Sequence, residues 1–167
     1  MGSKRGAARA DEAWIGAEAN RLSGRSLTVT CSATSVDWGR ALSAVGFPAA
    51  QADEYYGYSL IEQGELHLSP YVCTGLRLGR SVATRRANEL QVAWSVDVLV
   101  HESVHMARYT WDEALTEACA RTGLPLELHR LYDVAYGSAE LRRLTAAASQ
   151  VRLTMSAEYQ HGVCTPV

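Results

Sequence analysis

Between Gly79 and Tyr109 the chain carries one long apolar-faced segment, and no other stretch constrains the fold as strongly. Leu90, Trp94 and Val98 recur at helical spacing and lead in register to His101 and His105, while Val96, Val100 and Val104 form an adjacent stripe. The periodicity predicts a helix over 82–108. A helix with two apolar stripes has to be enclosed by the rest of a 167-residue chain.

The end of that segment reads His101-Glu102-Ser103-Val104-His105. Residues four apart lie one above the other on a helix face, so the two imidazoles can reach one ion. Glu102 sits beside them, within reach of a water held by such an ion. Zinc lowers the pKa of that water to about 7, which makes Glu102 the expected general base and His101 and His105 the expected ligands of one Zn2+ per chain.

A catalytic zinc usually takes a third protein ligand. Tyr109-Thr110 predicts a turn, and a second helix is expected from Trp111-Asp112 to about Thr122-Gly123. Glu113 and Glu117 share a face of it, so one acid can bind the ion while the other supports a histidine. Ala114, Leu115, Ala118 and Cys119 mark much of this helix as buried. Candidates for an oxyanion donor are Arg108, Tyr132, Tyr136, His129 and Tyr159. Asp97, four residues before His101, is placed to orient that ring.

Asp112-Glu113-Ala114-Leu115-Thr116-Glu117 resembles the second metal-binding segment of the gluzincin metallopeptidases, an Asn-Glu-Ala-x-x-Asp type helix. The resemblance implies that Glu113 is the third ligand and Glu117 the partner of His101. Glu113 follows His105 by only eight positions, a shorter connection than gluzincins have, which leaves Glu117 as the alternative ligand. The wider layout resembles a group of small actinobacterial proteins. It places a cysteine after an early strand (Cys31), Leu68-Ser69-Pro70-Tyr71-Val72-Cys73 before the long helix, and Glu158-Tyr159 followed by Cys164 at the end. This likeness spans residues 27–164 and implies a zincin-like fold and export or anchoring.

The remaining chain supplies the other elements. Residues 1–7 read as a disordered tail and 8–167 as one domain. An amphipathic helix is expected over Ala8–Leu22, a strand over Leu27–Cys31, and a helix capped by Ser35 that closes at Gly46. Residues 55–61 and 65–68 flank Glu62-Gln63-Gly64 as a hairpin, ended by Ser69-Pro70 and followed by a short helix over 71–76. In a zincin-like arrangement this hairpin would lie beside the metal, where an extended peptide can add by backbone pairing. Residues 124–151 read as mostly helix with a break at Gly137-Ser138, and 155–167 as irregular. The expected fold is α+β and zincin-like, mainly helical, with a small antiparallel sheet and a central HExxH helix.

Composition narrows the partners. A formal charge of −2, with Lys and Arg scattered, gives no footprint for nucleic acid. The most apolar stretch, 92–100, is interrupted by Asp97, so no membrane span is expected. The opening Met1-Gly-Ser-Lys-Arg-Gly is basic but lacks the apolar segment of a signal peptide. The four cysteines form no CxxC pair, which argues against a thiolate metal site. They read either as buried thiols in a cytoplasmic protein or as two disulfides in an extracytoplasmic or secreted one. The preferred pairing is Cys31–Cys73 and Cys119–Cys164, each tying a flanking segment to the helical centre. These features lead to a zinc-dependent hydrolase acting on a peptide or protein. The alternative is a catalytically silent zinc-binding module on the same scaffold.

Overall fold

The computed structural model describes residues 3–155 and 157–165. Its elements in order are α1 (Ser3–Ser23), β1 (Thr28–Cys31), α2 (Ser35–Ala44), a 3-10 turn (Ala49–Gln51), β2 (Gly57–Leu60), β3 (Glu65–Leu68), α3 (Pro70–Leu78), α4 (Val82–Ala87), α5 (Glu89–Arg108), α6 (Glu113–Tyr132), α7 (Ala139–Arg152) and α8 (Ala157–Gln160). The protein is mostly helical with a small three-stranded sheet, an α+β arrangement.

Helix α5 is the centre. From Val92 to Val100 every residue is 7% exposed or less, so the helix is enclosed on all sides, as its two apolar stripes require. Helices α1, α3, α6 and α7 pack around it, and β2 closes one further side. Local chemistry sets where its neighbours start. Ser69 caps α3, accepting from the Val72 amide, with Pro70 in the first turn where its missing N–H costs nothing. Asp112 caps α6 through the Leu115 amide, and Ser138 caps α7 through that of Leu141.

Several expectations are corrected. The cap of α2 is Thr34, whose hydroxyl accepts from the Asp37 amide, with Ser35 already helical. The helix expected over 82–108 is two helices, because Asn88 leaves helical geometry at φ −136°. The break lets Arg85 on α4 turn inward, where it is buried and pairs with Glu140 of α7 at 2.7 Å. Helix α6 does not stop at Thr122-Gly123 but runs on to Tyr132, with Pro125 inside it. Proline removes a helix hydrogen bond there and crowds the preceding turn. Burial of Leu124, Leu128 and Tyr132, and the ion pair of buried Glu127 with Arg21, outweigh that cost. Residues 3–7, read as part of a disordered tail, are helical, and residues 1 and 2 lie outside the described residues. Within the segment expected to be irregular, residues 157–160 form a helical turn.

The sheet also differs from expectation. The β2–β3 hairpin is antiparallel, with Gly57 opposite Leu68 and Ser59 opposite Leu66. Strand β1, however, pairs with β3 in parallel, giving the order β1-β3-β2 and a mixed rather than antiparallel sheet. The segment carrying α2 is long enough to make the crossover that parallel pairing needs. The order leaves β2 at the edge, against α5.

Two disulfides join these layers with the expected pairing, Cys31–Cys73 between β1 and α3 and Cys119–Cys164 between α6 and the C-terminal segment. They close loops of 42 and 45 residues, and loss of each is expected to cost about 2–4 kcal/mol. Thermal unfolding of the oxidised and fully reduced protein checks this, and equal melting temperatures would refute it. Two disulfides are consistent with an oxidising, extracellular setting. Among the described residues no helix is long and apolar enough to cross a membrane.

Candidate metal centre

Helix α5 ends at Tyr109, which adopts the left-handed conformation at φ 50°, and three residues later Asp112 caps α6. This tight turn lays the first two turns of α6 against the last two of α5, so Glu113 and Glu117 face His101 and His105. One ligand atom each from His101, His105 and Glu113 lies within 4.8 Å of the others. The two Nε2 atoms are 3.1 Å apart, Glu113 Oε2 is 3.0 Å from His101 Nε2, and Glu113 Oε1 is 3.4 Å from His105 Nε2.

The other ring nitrogens are committed elsewhere. His101 Nδ1 is 3.1 Å from Glu117 Oε2, and His105 Nδ1 is 2.7 Å from the Thr110 carbonyl oxygen. Both partners can only accept, so each Nδ1 carries its proton and each neutral ring presents a lone pair at Nε2. Two lone pairs and a carboxylate oxygen facing one point repel unless a cation lies between them. The spacings are close to the edge of a tetrahedron with metal–ligand bonds of about 2.0–2.1 Å, which is about 3.3 Å. The donor set therefore fits a divalent ion with a preference for imidazole and carboxylate. Glu117 faces the far side of His101 and stands as its partner.

Without a metal the same crowding is relieved by protons. Burial opposes a charge on His101, but hydrogen bonds to Glu113 and Glu117 and the nearby Glu102 carboxylate overcome it and raise its pKa to about 10. His105 is raised as well, burial again being outweighed by Glu113 and Glu102. For Glu113 burial is outweighed by the two imidazoles, which lower its pKa to about 2. A histidine whose pKa rises on folding stabilises the protein fully below about pH 6.5, the unfolded value. That stability is lost as pH rises through about 10. An ion bound by these three residues would have to displace these protons, so the affinity of chelator-treated protein for added zinc is expected to weaken as pH falls. Calorimetry at pH 7 in buffers of different ionisation enthalpy should detect proton release, and none detected would refute the coupling.

Glu102 is buried beside the triad, and β2 fixes its position. Ser59 Oγ donates to Glu102 Oε2 at 2.6 Å. A Cβ on Gly57 would stand 3.0 Å from Glu102 Cγ and 3.2 Å from Oε1, so a side chain there would press on Glu102 and make it give way. Behind Glu117 lies a cation that sequence reasoning missed. Arg152, at the end of α7, is buried and its guanidinium donates to both Glu117 and Asp97. Asp97 thus holds Arg152 and not the His101 ring, correcting its expected role. Burial raises the Asp97 pKa, Glu117 adds to the rise, and Arg152 opposes it.

The oxyanion candidates divide. Tyr132 is buried against Gly79 at the end of α3, its hydroxyl donating to the Leu76 carbonyl at 2.9 Å, and does not line the cleft over the triad. His129 bonds the Val134 carbonyl and packs at a tilt against Tyr136, and neither lines that cleft. Arg108 donates to the Thr165 carbonyl at 2.5 Å and tethers the C-terminal segment instead of facing the triad. Tyr159 does line the cleft, its ring centroid 6.5 Å from that of His101. A cavity of about 420 Å³ opens over the triad, walled by residues 54–60 on one side and by Trp94, Trp111 and Met155 on others. A buried serine in alternation with Gly57 and Ile61 was the available signal for Ser59. For Arg152, 35 positions from Glu117, there was none.

Comparison with known proteins finds no matching family model, no matching curated protein and no matching solved structure.

Proposed function

We propose that this chain is a zinc-dependent hydrolase, a small metallopeptidase of gluzincin-like, zincin-type organisation acting outside the cytoplasm. The observation that carries the reading is the convergence of His101 Nε2, His105 Nε2 and a Glu113 carboxylate oxygen, with both Nδ1 atoms turned to acceptors. His101, His105 and Glu113 would hold the ion, and Glu117 would orient His101 as the acid four residues along the same helix. A bound zinc supplies Lewis acidity, lowering the pKa of water and polarising a carbonyl oxygen. Glu102, held by Ser59, takes the proton of the attacking water at its carboxylate and returns it to the leaving amine. The aromatic wall of the cleft and Tyr159 limit access of bulk water to that transfer.

The test is elemental analysis of the purified protein alongside Glu113→Ala and Glu117→Ala. One zinc per chain is expected in the wild type, none in Glu113→Ala, and binding weakened about 10–100-fold in Glu117→Ala. A wild type that takes up no zinc when zinc is supplied would overturn the reading. Stoichiometric zinc with no turnover of any peptide library would instead identify a silent zinc-binding module on the same scaffold.

A further inference from the structure

We infer that the cavity over the triad selects peptides with a large apolar or aromatic side chain next to the cleaved bond and excludes acidic groups, a free C-terminal carboxylate included. The inference rests on the hydrolase reading above and adds to it the chemistry of the substrate.

The first support is shape and polarity. A volume of about 420 Å³ falls within the range of about 300–1,000 Å³ in which a small ligand is largely buried, so a bulky side chain and part of its backbone fit. Away from the triad the wall is aromatic and aliphatic. Phe47 packs on Tyr55 with ring centroids 4.7 Å apart, Trp94 is 4% exposed, and Val45 and Met155 complete the apolar surface. Trp111, 64% exposed, stands at the same cleft with its ring 6.2 Å from that of His105. Such a surface gains free energy by burying apolar area and offers an acidic side chain no cation in exchange for its lost hydration.

The second support is charge. The charged residues lining the cavity are Glu54, Asp97, Glu102, Glu113 and Glu117, and among the described residues no Lys or Arg lines it. Arg152 is engaged behind Asp97 and Glu117. A metal ion would offset the carboxylates at the triad but not Glu54, which is exposed on the opposite wall. Recognition of a terminal carboxylate is strongest with a guanidinium or ammonium, and among the described residues the lining supplies none. The site therefore suits cleavage within a chain or near a free amine, not removal of C-terminal residues.

The experiment uses the oxidised, zinc-loaded protein. Position-scanned peptide libraries are digested with the wild type, and their binding to Glu102→Gln is measured by fluorescence anisotropy. Phe, Tyr and Leu are expected to be favoured over Glu by at least about tenfold at one flank of the cut, in both readouts. Amidated peptides should bind better than their free acids. Phe47→Ala should shrink the aromatic preference, and Glu54→Lys should shrink the discrimination against acids. Cleavage with no side-chain preference, or with acids favoured, overturns the inference and leaves the hydrolase reading standing. Zinc-loaded protein that neither binds nor cleaves any peptide overturns both.

Discussion

Glu102→Gln is expected to keep one zinc per chain while hydrolysis falls by about 10²–10⁴-fold. The amide keeps the shape of the side chain and an oxygen to accept from Ser59, so the buried contact with β2 survives. What it loses is basicity: an amide cannot take the proton of an attacking water. Metal content and turnover measured on one preparation separate these effects. A fully active Glu102→Gln would refute the assignment of the base, whatever the metal content.

The second large effect is structural. Arg152→Met removes the cation shared by Glu117 and Asp97, both 1% exposed or less, and leaves two buried carboxylates facing each other. Breaking a buried pair in this way costs about 3–5 kcal/mol, because Asp97 loses its cation out of reach of water and Glu117 keeps only the His101 Nδ1–H. Urea unfolding of chelator-treated protein should show that loss. The deficit should also depend on pH. Asp97 is already raised by burial, so the folded state holds protons that the unfolded state releases, and stability from this group falls as pH rises above about 4. Removing Arg152 takes away the cation that opposes the rise at Asp97, so the deficit should be larger at pH 8 than at pH 5. Adding Asp97→Asn should recover part of it, since one of the opposed charges is gone. A deficit independent of pH would show that lost packing, not charge, is the cause.

Much of the candidate metal centre's geometry was legible because its residues are local. His101, Glu102 and His105 lie within two turns of one helix, and Glu113 and Glu117 share a face of the next, so periodicity alone brings them together. The turn between the helices could be read from Tyr109-Thr110 and the Asp112 cap. The β2–β3 hairpin and both disulfide pairings were legible too, from alternation and from the layout of the cysteines. What escaped depends on contacts distant in sequence. Pro125 reads as a helix breaker until burial of Leu124 and Leu128 is known. Asn88 breaks a helix whose apolar periodicity gives no reason to stop, and the Arg85–Glu140 pair beside the break joins residues 55 positions apart. The parallel pairing of β1 has no signature in a four-residue strand, and Arg152 reads as one of many surface arginines.

The separation between local ligands and distant supports has a consequence for the order of assembly. His101, His105 and Glu113 are joined by a single short turn, so bringing them together costs little loop-closure entropy. The α5–α6 hairpin can thus present its three donors to an ion early in folding. Arg152 joins Asp97 across 55 residues, and Cys164 must reach Cys119 across 45, so the supports arrive only when the later chain docks. On the proposed reading, metal capture would be separable in time from completion of the buried charge network. An early-bound ion would act as a template on which α7 closes.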